Sequence, residues 1–177
     1  TILGQYPPGS TVKPLLGFAD LASGQPLGRG GVYCAGFVKL PNQERRYRDW
    51  KRRGHGPTDL RRAIAESCDV YFYQLSLELG IDRIHDALVA FGLGHRTGID
   101  LPGELAGLVP SKAWKQQVRK QPWYIGETLV NSIGQGYNLP TPLQLAQAAA
   151  TLARRGEVLQ PRVVRAREDV ISGRYVP

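Results

Sequence analysis

The 177 residues carry a formal net charge of +8, 42% hydrophobic residues and no methionine, and a chain of this length can bury one sizeable core. No stretch of about 20 apolar residues and no signal-like apolar leader occurs, which excludes a transmembrane span or a targeting segment within the sequence. Starting at Thr1, the chain reads as part of a longer polypeptide, so neither absence assigns that polypeptide to the cytoplasm.

In chain order, Tyr6-Pro7-Pro8-Gly9 is a rigid run that cannot continue a helix. Leu15, Leu16, Ala19 and Ala22 then predict a buried helical face ending near Ser23-Gly24, with Pro14 tolerated in the first turn. Residues 25–57 are rich in glycine and proline and have no clean period. They predict an irregular, basic excursion or a set of short strands that needs something to tie it down. Residues 58–156 read as a helical region. Leu60, Ala63 and Ile64 share a face, Ser67-Cys68-Asp69 interrupts the pattern, and a helix from about Val70 stops at Gly80. Asp82 is the expected cap of the next helix, Ile84 to Phe91. Thr141-Pro142-Leu143-Gln144 carries a capping-box signature, and Leu145, Ala148, Ala149 and Leu152 are the expected face of the helix that follows. Val158, Leu159, Val163 and Val164 then suggest that residues 157–177 begin a sheet.

The charge is concentrated in Arg45, Arg46, Arg48, Lys51, Arg52 and Arg53, interleaved with Tyr47 and Trp50. Such a run suits an anionic lipid or polymer, a nucleic acid, or a merely solvated loop. No zinc-finger spacing or helix-turn-helix pattern supports nucleic acid, and none is expected as a partner.

Ser10-Thr11-Val12-Lys13 is an S-x-x-K motif, the nucleophile-and-lysine arrangement of a class of serine acyl-transferases. A serine hydroxyl attacks well only when something takes its proton, and a lysine one helical turn on is placed to do so. The bland alternative is a helix cap beside a surface lysine. Ser67 and Asp69 can face the same cleft from a bend between helices, Ser67 relaying a proton and Asp69 accepting a hydrogen bond from Lys13 or a substrate amide. An ordinary interhelix cap explains the same pair.

YPPGSTVKP, RYRDWKRRGHG, AESCDVYFYQLSLELGID, FGLGHRTGIDLPGE and NSIGQGYNLPTPLQLA, in that order, resemble the transpeptidase domain of the class B, elongation-specific penicillin-binding proteins 2 of Gram-negative bacteria. The resemblance implies an α/β (α+β) fold of the penicillin-binding protein and serine β-lactamase type, with residues 1–177 a partial transpeptidase domain. It also implies Ser10 as acylated nucleophile, Lys13 as its base, and Ser67 and Asp69 as the second motif, where many relatives have Ser-x-Asn. The implied substrates are peptidoglycan stem peptides ending in D-alanyl-D-alanine, with β-lactams as inhibitors. A membrane glycosyltransferase of the elongation complex would be a partner through other regions, on the periplasmic side of the inner membrane. The family's third motif, Lys-Ser/Thr-Gly, does not occur before Pro177, so these residues alone are expected to be catalytically incomplete. A non-catalytic sensor or interaction domain of the same fold is the alternative.

The remaining cluster is Cys34, Asp49, His55 and Cys68, spaced x14, x5 and x12. Thiolate, imidazole and carboxylate make a plausible tetrahedral zinc set that would pin the 25–57 excursion behind the serine motif. The spacing matches no compact finger, and a Cys34–Cys68 disulfide or two unrelated thiols fit the residues too. The resemblance favours a structural zinc.

Overall fold

The computed structural model describes residues 1–24, 27, 30–172 and 174–176. Parts of two expected regions, residues 25, 26, 28 and 29 in the excursion and Gly173 and Pro177 at the end, lie outside the described residues. The molecule is α+β, with helices forming the body and, among the described residues, strands in three separate antiparallel pairs.

Ser10 lies in a 3-10 turn, Gly9–Val12, that runs into helix α1, Lys13–Ala22. Helix α2, Leu60–Ala65, starts at an Asp59 cap whose carboxylate accepts from the Arg62 amide. Helix α3, Asp69–Ala90, is broken at Gly80, where φ +73° and ψ 163° leave the helical region and only glycine is at ease. The break divides the two helical segments that the sequence predicts. Asp82 does not cap the second of them; its carboxylate instead pairs with Lys112 at 2.7 Å.

Tyr71, Phe72 and Leu75 of α3 pack with Val12, Leu15 and Leu16 at 0–3% exposure, and Phe91 meets Phe18 edge-on at 5.5 Å. Each such side chain contributes about 1.5–3 kcal/mol by leaving water. This core fixes the start of α1 against the start of α3.

Between α1 and α2 the glycine-rich stretch forms four short strands. Strand β1, Val32–Cys34, pairs with β4, Gly56–Thr58, while β2, Phe37–Lys39, pairs with β3, Arg46–Arg48. The β1–β4 register places Cys34 opposite Gly56, one residue from His55. Helices α4, Lys112–Arg119, α5, Ile125–Ser132, and α6, Pro142–Ala153, complete the body.

Helix α6 has the capping box the sequence predicts. Its buried face, however, is Gln144, Ala148 and Thr151, with Ala149 and Leu152 exposed. Gln144 turns inward because its Nε2 donates to the carbonyls of His95 and Ala106, at 2.6 and 2.8 Å. The strand expected at Val158–Val164 is also not formed. The Val163 and Val164 amides donate to the Asp100 carboxylate, at 2.6 and 2.8 Å, instead of to a ladder. Two-residue strands, β5 Arg167–Glu168 and β6 Tyr175–Val176, pair beyond it. No helix among the described residues is long and apolar enough to cross a membrane.

Candidate active site and metal centre

The 3-10 turn exposes the Ser10 hydroxyl while Lys13, one turn on, is 1% exposed. Gly9 and Gly134 hold that turn from behind: the Gly9 amide donates to the Gly134 carbonyl at 2.9 Å, and Gly134 has φ +70°. A Cβ on Gly134 would run into the Gly9 carbonyl, so only glycine permits this approach.

Ser67 sits in the turn between α2 and α3 with φ +53°, a left-handed conformation that costs a non-glycine residue roughly 1–2 kcal/mol. The conformation turns both of its oxygens to one lysine. Lys13 Nζ donates to the Ser67 carbonyl at 2.9 Å, to Ser67 Oγ at 3.0 Å and to Asp69 Oδ1 at 2.6 Å. Ser67 Oγ in turn donates to Ser10 Oγ at 2.8 Å. The four residues thus form one chain, in which Lys13 reaches Ser10 by way of Ser67 and not directly as S-x-x-K spacing alone suggests. Ser10, Ser67 and Asp69 open onto a cavity of about 720 Å³ that Trp50, Glu66 and Gln135 also line.

Trp50 is the residue that sequence reasoning passed over. Its backbone amide donates to Asp69 Oδ2 at 3.2 Å, its indole N–H donates to the Glu66 carbonyl at 3.1 Å, and its ring meets His55 edge-on at 5.5 Å. One peptide therefore joins the serine site to the second cluster. In the sequence it stood out only as an aromatic within the basic run, next to Asp49.

Cys34, Asp49, His55 and Cys68 are all buried, and one donor atom from each lies within 4.8 Å of the others. Cys34 Sγ is 3.6 Å from Asp49 Oδ2 and 3.5 Å from His55 Nδ1, and His55 Nδ1 is 3.6 Å from Asp49 Oδ1. Ligands about 2.0–2.3 Å from a tetrahedral zinc stand about 3.5 Å apart, so these separations fit the edges of such a site. Both thiols are free, not joined to each other.

Burial pushes the Asp49 carboxyl up, but the Lys51 and Val70 amides, Cys68 and the nearby His55 ring together hold it below the ordinary range. Burial pushes the Cys68 thiol up, with Cys34 and Asp49 adding to the effect and the Tyr71 amide only partly opposing it. A cation arriving here must displace thiol protons. Among the described residues His55 Nε2 has no hydrogen-bond partner and faces Glu66 Oε2 at 3.7 Å, so Nδ1 is the nitrogen turned to the cluster.

The family model described as penicillin binding protein transpeptidase domain matches residues 1–176. The chain belongs to this transpeptidase domain family. Within it, the chain is 46% identical over 161 residues to a peptidoglycan D,D-transpeptidase MrdA from Salmonella typhimurium, covering 91% of the chain and 26% of that protein. Among solved structures, it matches Pseudomonas aeruginosa PBP2 in complex with WCK 5153 at 46% identity and TM-score 0.87, over 91% of the chain and 37% of that one. It also matches the PBP2 of a complex with MreC from Helicobacter pylori, at 37% identity and TM-score 0.85, over 91% and 30% of the two chains. The chain thus spans about a quarter of the length of the MrdA relative. These matches bear out the resemblance read from the motifs and the fold type it implied.

Proposed function

We propose that this chain is the part of an elongation-type peptidoglycan D,D-transpeptidase that carries the nucleophile and its proton relay. The observation that carries the reading is the continuous hydrogen-bonded chain from Ser10 through Ser67 to Lys13 and Asp69, opening onto one cavity.

Ser10 Oγ attacks the carbonyl of the penultimate D-alanine of a stem peptide. Its proton passes to Ser67 as the Ser67 proton passes to Lys13; in the arrangement seen here Lys13 Nζ donates to three oxygens, so the transfer requires Lys13 to have first given up a proton and both hydroxyls to rotate. Collapse of the tetrahedral adduct breaks the peptide bond, and the proton returns along the same relay to the departing D-alanine nitrogen. Ser67 gives that proton to the leaving nitrogen and not to Ser10 Oγ, which now carries the acyl group. An amine of a neighbouring stem then attacks the acyl-enzyme and its surplus proton passes through the relay to Ser10 Oγ, the direction in which Ser67 donates in the resting arrangement, giving a 4,3 cross-link and free Ser10. Asp69 holds Lys13 on line throughout, and Trp50 holds Asp69. β-Lactams acylate Ser10 and stop at the acyl-enzyme.

Cys34, Asp49, His55 and Cys68 hold a zinc ion in this reading, with four protein donors and a structural role. When bound, the ion ties the β1–β4 pair to the start of α3. Cys68 stands between Ser67 and Asp69 in sequence, so fixing its sulfur fixes both neighbours. The whole protein acts on the periplasmic side of the inner membrane, where a membrane glycosyltransferase of the elongation complex partners it through other regions. One relative's structure includes MreC and another a peptidoglycan synthase complex, which supports assembly of this kind.

The full-length gene product is to be incubated with pentapeptide-bearing peptidoglycan strands, and free D-alanine and cross-linked dimers quantified. Ser10→Ala is expected to abolish both products. Unchanged D-alanine release from Ser10→Ala would refute the assignment.

A further inference from the structure

A second cavity, of about 540 Å³, lies across the Ile133–Tyr137 loop from the Ser10 cavity: Ile133 and Gln135 line one, Gly136 and Tyr137 the other. The mechanism above makes no use of it. Its walls are aromatic, with Trp123, Tyr124 and Tyr137 around it, Tyr124 58% exposed and the Trp123 and Tyr137 rings 6.5 Å apart. Its size suits one or two sugar rings.

Among the described residues, two polar side chains in it have no hydrogen-bond or ion-pair partner. Asn131 is 1% exposed, and among the described residues neither its Oδ1 nor its Nδ2 has a hydrogen-bond partner. Burying an amide with both halves unmet is costly, and a group left so in a cavity wall calls for an explanation. Arg45 stacks on Tyr47 at 4.9 Å and is in no ion pair among the described residues. The one acid in the lining, Glu127, is spent: Lys115 Nζ donates to its two oxygens at 2.6 and 2.7 Å. The cavity therefore offers aromatic faces and a net positive charge, with the unmet donor–acceptor pair of Asn131 enclosed in its wall.

We propose that this cavity is a subsite for an N-acylated amino sugar. The apolar face of a pyranose ring stacks on the aromatic side chains. A secondary amide on the ring matches Asn131 at two points, its N–H donating to Oδ1 and its carbonyl accepting from Nδ2. An acidic substituent on the sugar meets Arg45. A peptide would offer the same amide, but four aromatic rings around one cavity, Tyr47 among them, favour a ring-shaped ligand with alternating C–H and hydroxyl faces. The proposal rests on the transpeptidase reading for one point only, that a sugar polymer carrying the reacting peptide lies beside Ser10. The subsite would hold that polymer while a stem reaches across the loop.

The test is titration of the full-length gene product with a tetramer of β-1,4-linked N-acetylglucosamine, followed by saturation-transfer NMR, with a β-1,4-glucose tetramer as control. Saturable binding of the acetylated tetramer is expected, at least ten-fold tighter than the glucose tetramer, and weakened at least ten-fold by Asn131→Ala. Tyr124→Ala alters an exposed residue and is expected to weaken binding similarly, which keeps the test decisive should Asn131→Ala not fold. Equal affinity for both tetramers, no binding, or binding of a stem tripeptide without the sugar would overturn the proposal. Penicillin acylation of Ser10 is measured on the same samples. Acylation without sugar binding sinks the subsite alone, whereas sugar binding without acylation sinks the transpeptidase reading and leaves the subsite.

Discussion

Replacing Ser67 by alanine removes one oxygen that accepts from Lys13 at 3.0 Å and donates to Ser10 at 2.8 Å, while keeping the carbonyl that accepts from the same lysine at 2.9 Å. Two hydrogen bonds are lost at about 1 kcal/mol each, so a destabilisation of about 2 kcal/mol is expected. Glycine at the same position loses the same bonds but relieves the strain of φ +53°. That relief of roughly 1–2 kcal/mol, less about 0.5–1 kcal/mol for the extra freedom of unfolded glycine, leaves Ser67→Gly more stable than Ser67→Ala by about 0.5–1 kcal/mol. Both variants sever the relay, and loss of a positioned proton carrier costs roughly 10²–10⁴ in rate. Acylation by a fluorescent penicillin and urea unfolding of the full-length protein measure the two effects separately. Near-normal acylation of Ser67→Ala would refute the relay, and a glycine variant less stable than the alanine variant would refute the strain argument.

Gly134→Ala places a Cβ against the Gly9 carbonyl at φ +70°, and the combined strain and overpacking should cost about 3 kcal/mol. Slower acylation should accompany the lower unfolding midpoint; an unchanged rate would mean that the Gly9–Gly134 approach does not place Ser10. The full-length protein should contain one zinc per chain by elemental analysis, and Cys34→Ser should lose it. A chelator should lower the unfolding free energy by about 3 kcal/mol, the linkage expected for a ligand present at about 100 times its Kd. A metal-free protein of equal stability would remove the metal from the account.

Burial pushes the Glu104 carboxyl up, but the Thr97 hydroxyl and amide, the Gly98 amide and nearby Arg96 hold it below its usual range. A carboxyl depressed in the folded state stabilises above its unfolded pKa of about 4.3, and that stability is lost as pH falls through the folded value. Glu104→Gln should therefore be about 1 kcal/mol less stable at pH 7 and converge on the parent protein as the pH falls below 4.3. A constant gap across that range would contradict the sign.

Local signals in the sequence account for much of the helical body. The Thr141 capping box, the proline at the start of α6 and the glycine at 80 act within a few residues of themselves, so they can be read without a partner. The serine motif is equally local, yet the relay through Ser67 is not, because it depends on a left-handed turn 57 residues from Ser10. Asp82 and Val158–Val164 misled for the same reason: a carboxylate or an amide takes the partner that tertiary structure brings, here Lys112 and Asp100. The four cysteine, histidine and aspartate donors could be named in the sequence, but only the β1–β4 register carries Cys34 next to His55. Three-residue strands show no readable period, which hid that register. The role of Trp50 at the site was not legible because the group that touches Asp69 is its backbone amide.

The central claim is that Ser10 is the acylated nucleophile. It is tested most directly by treating the full-length protein with a penicillin, denaturing it, and mapping the adduct by peptide mass spectrometry. A single adduct on the peptide containing Ser10, absent from Ser10→Ala, is the result expected. An adduct elsewhere, or none in a folded and metal-replete sample, would contradict the account.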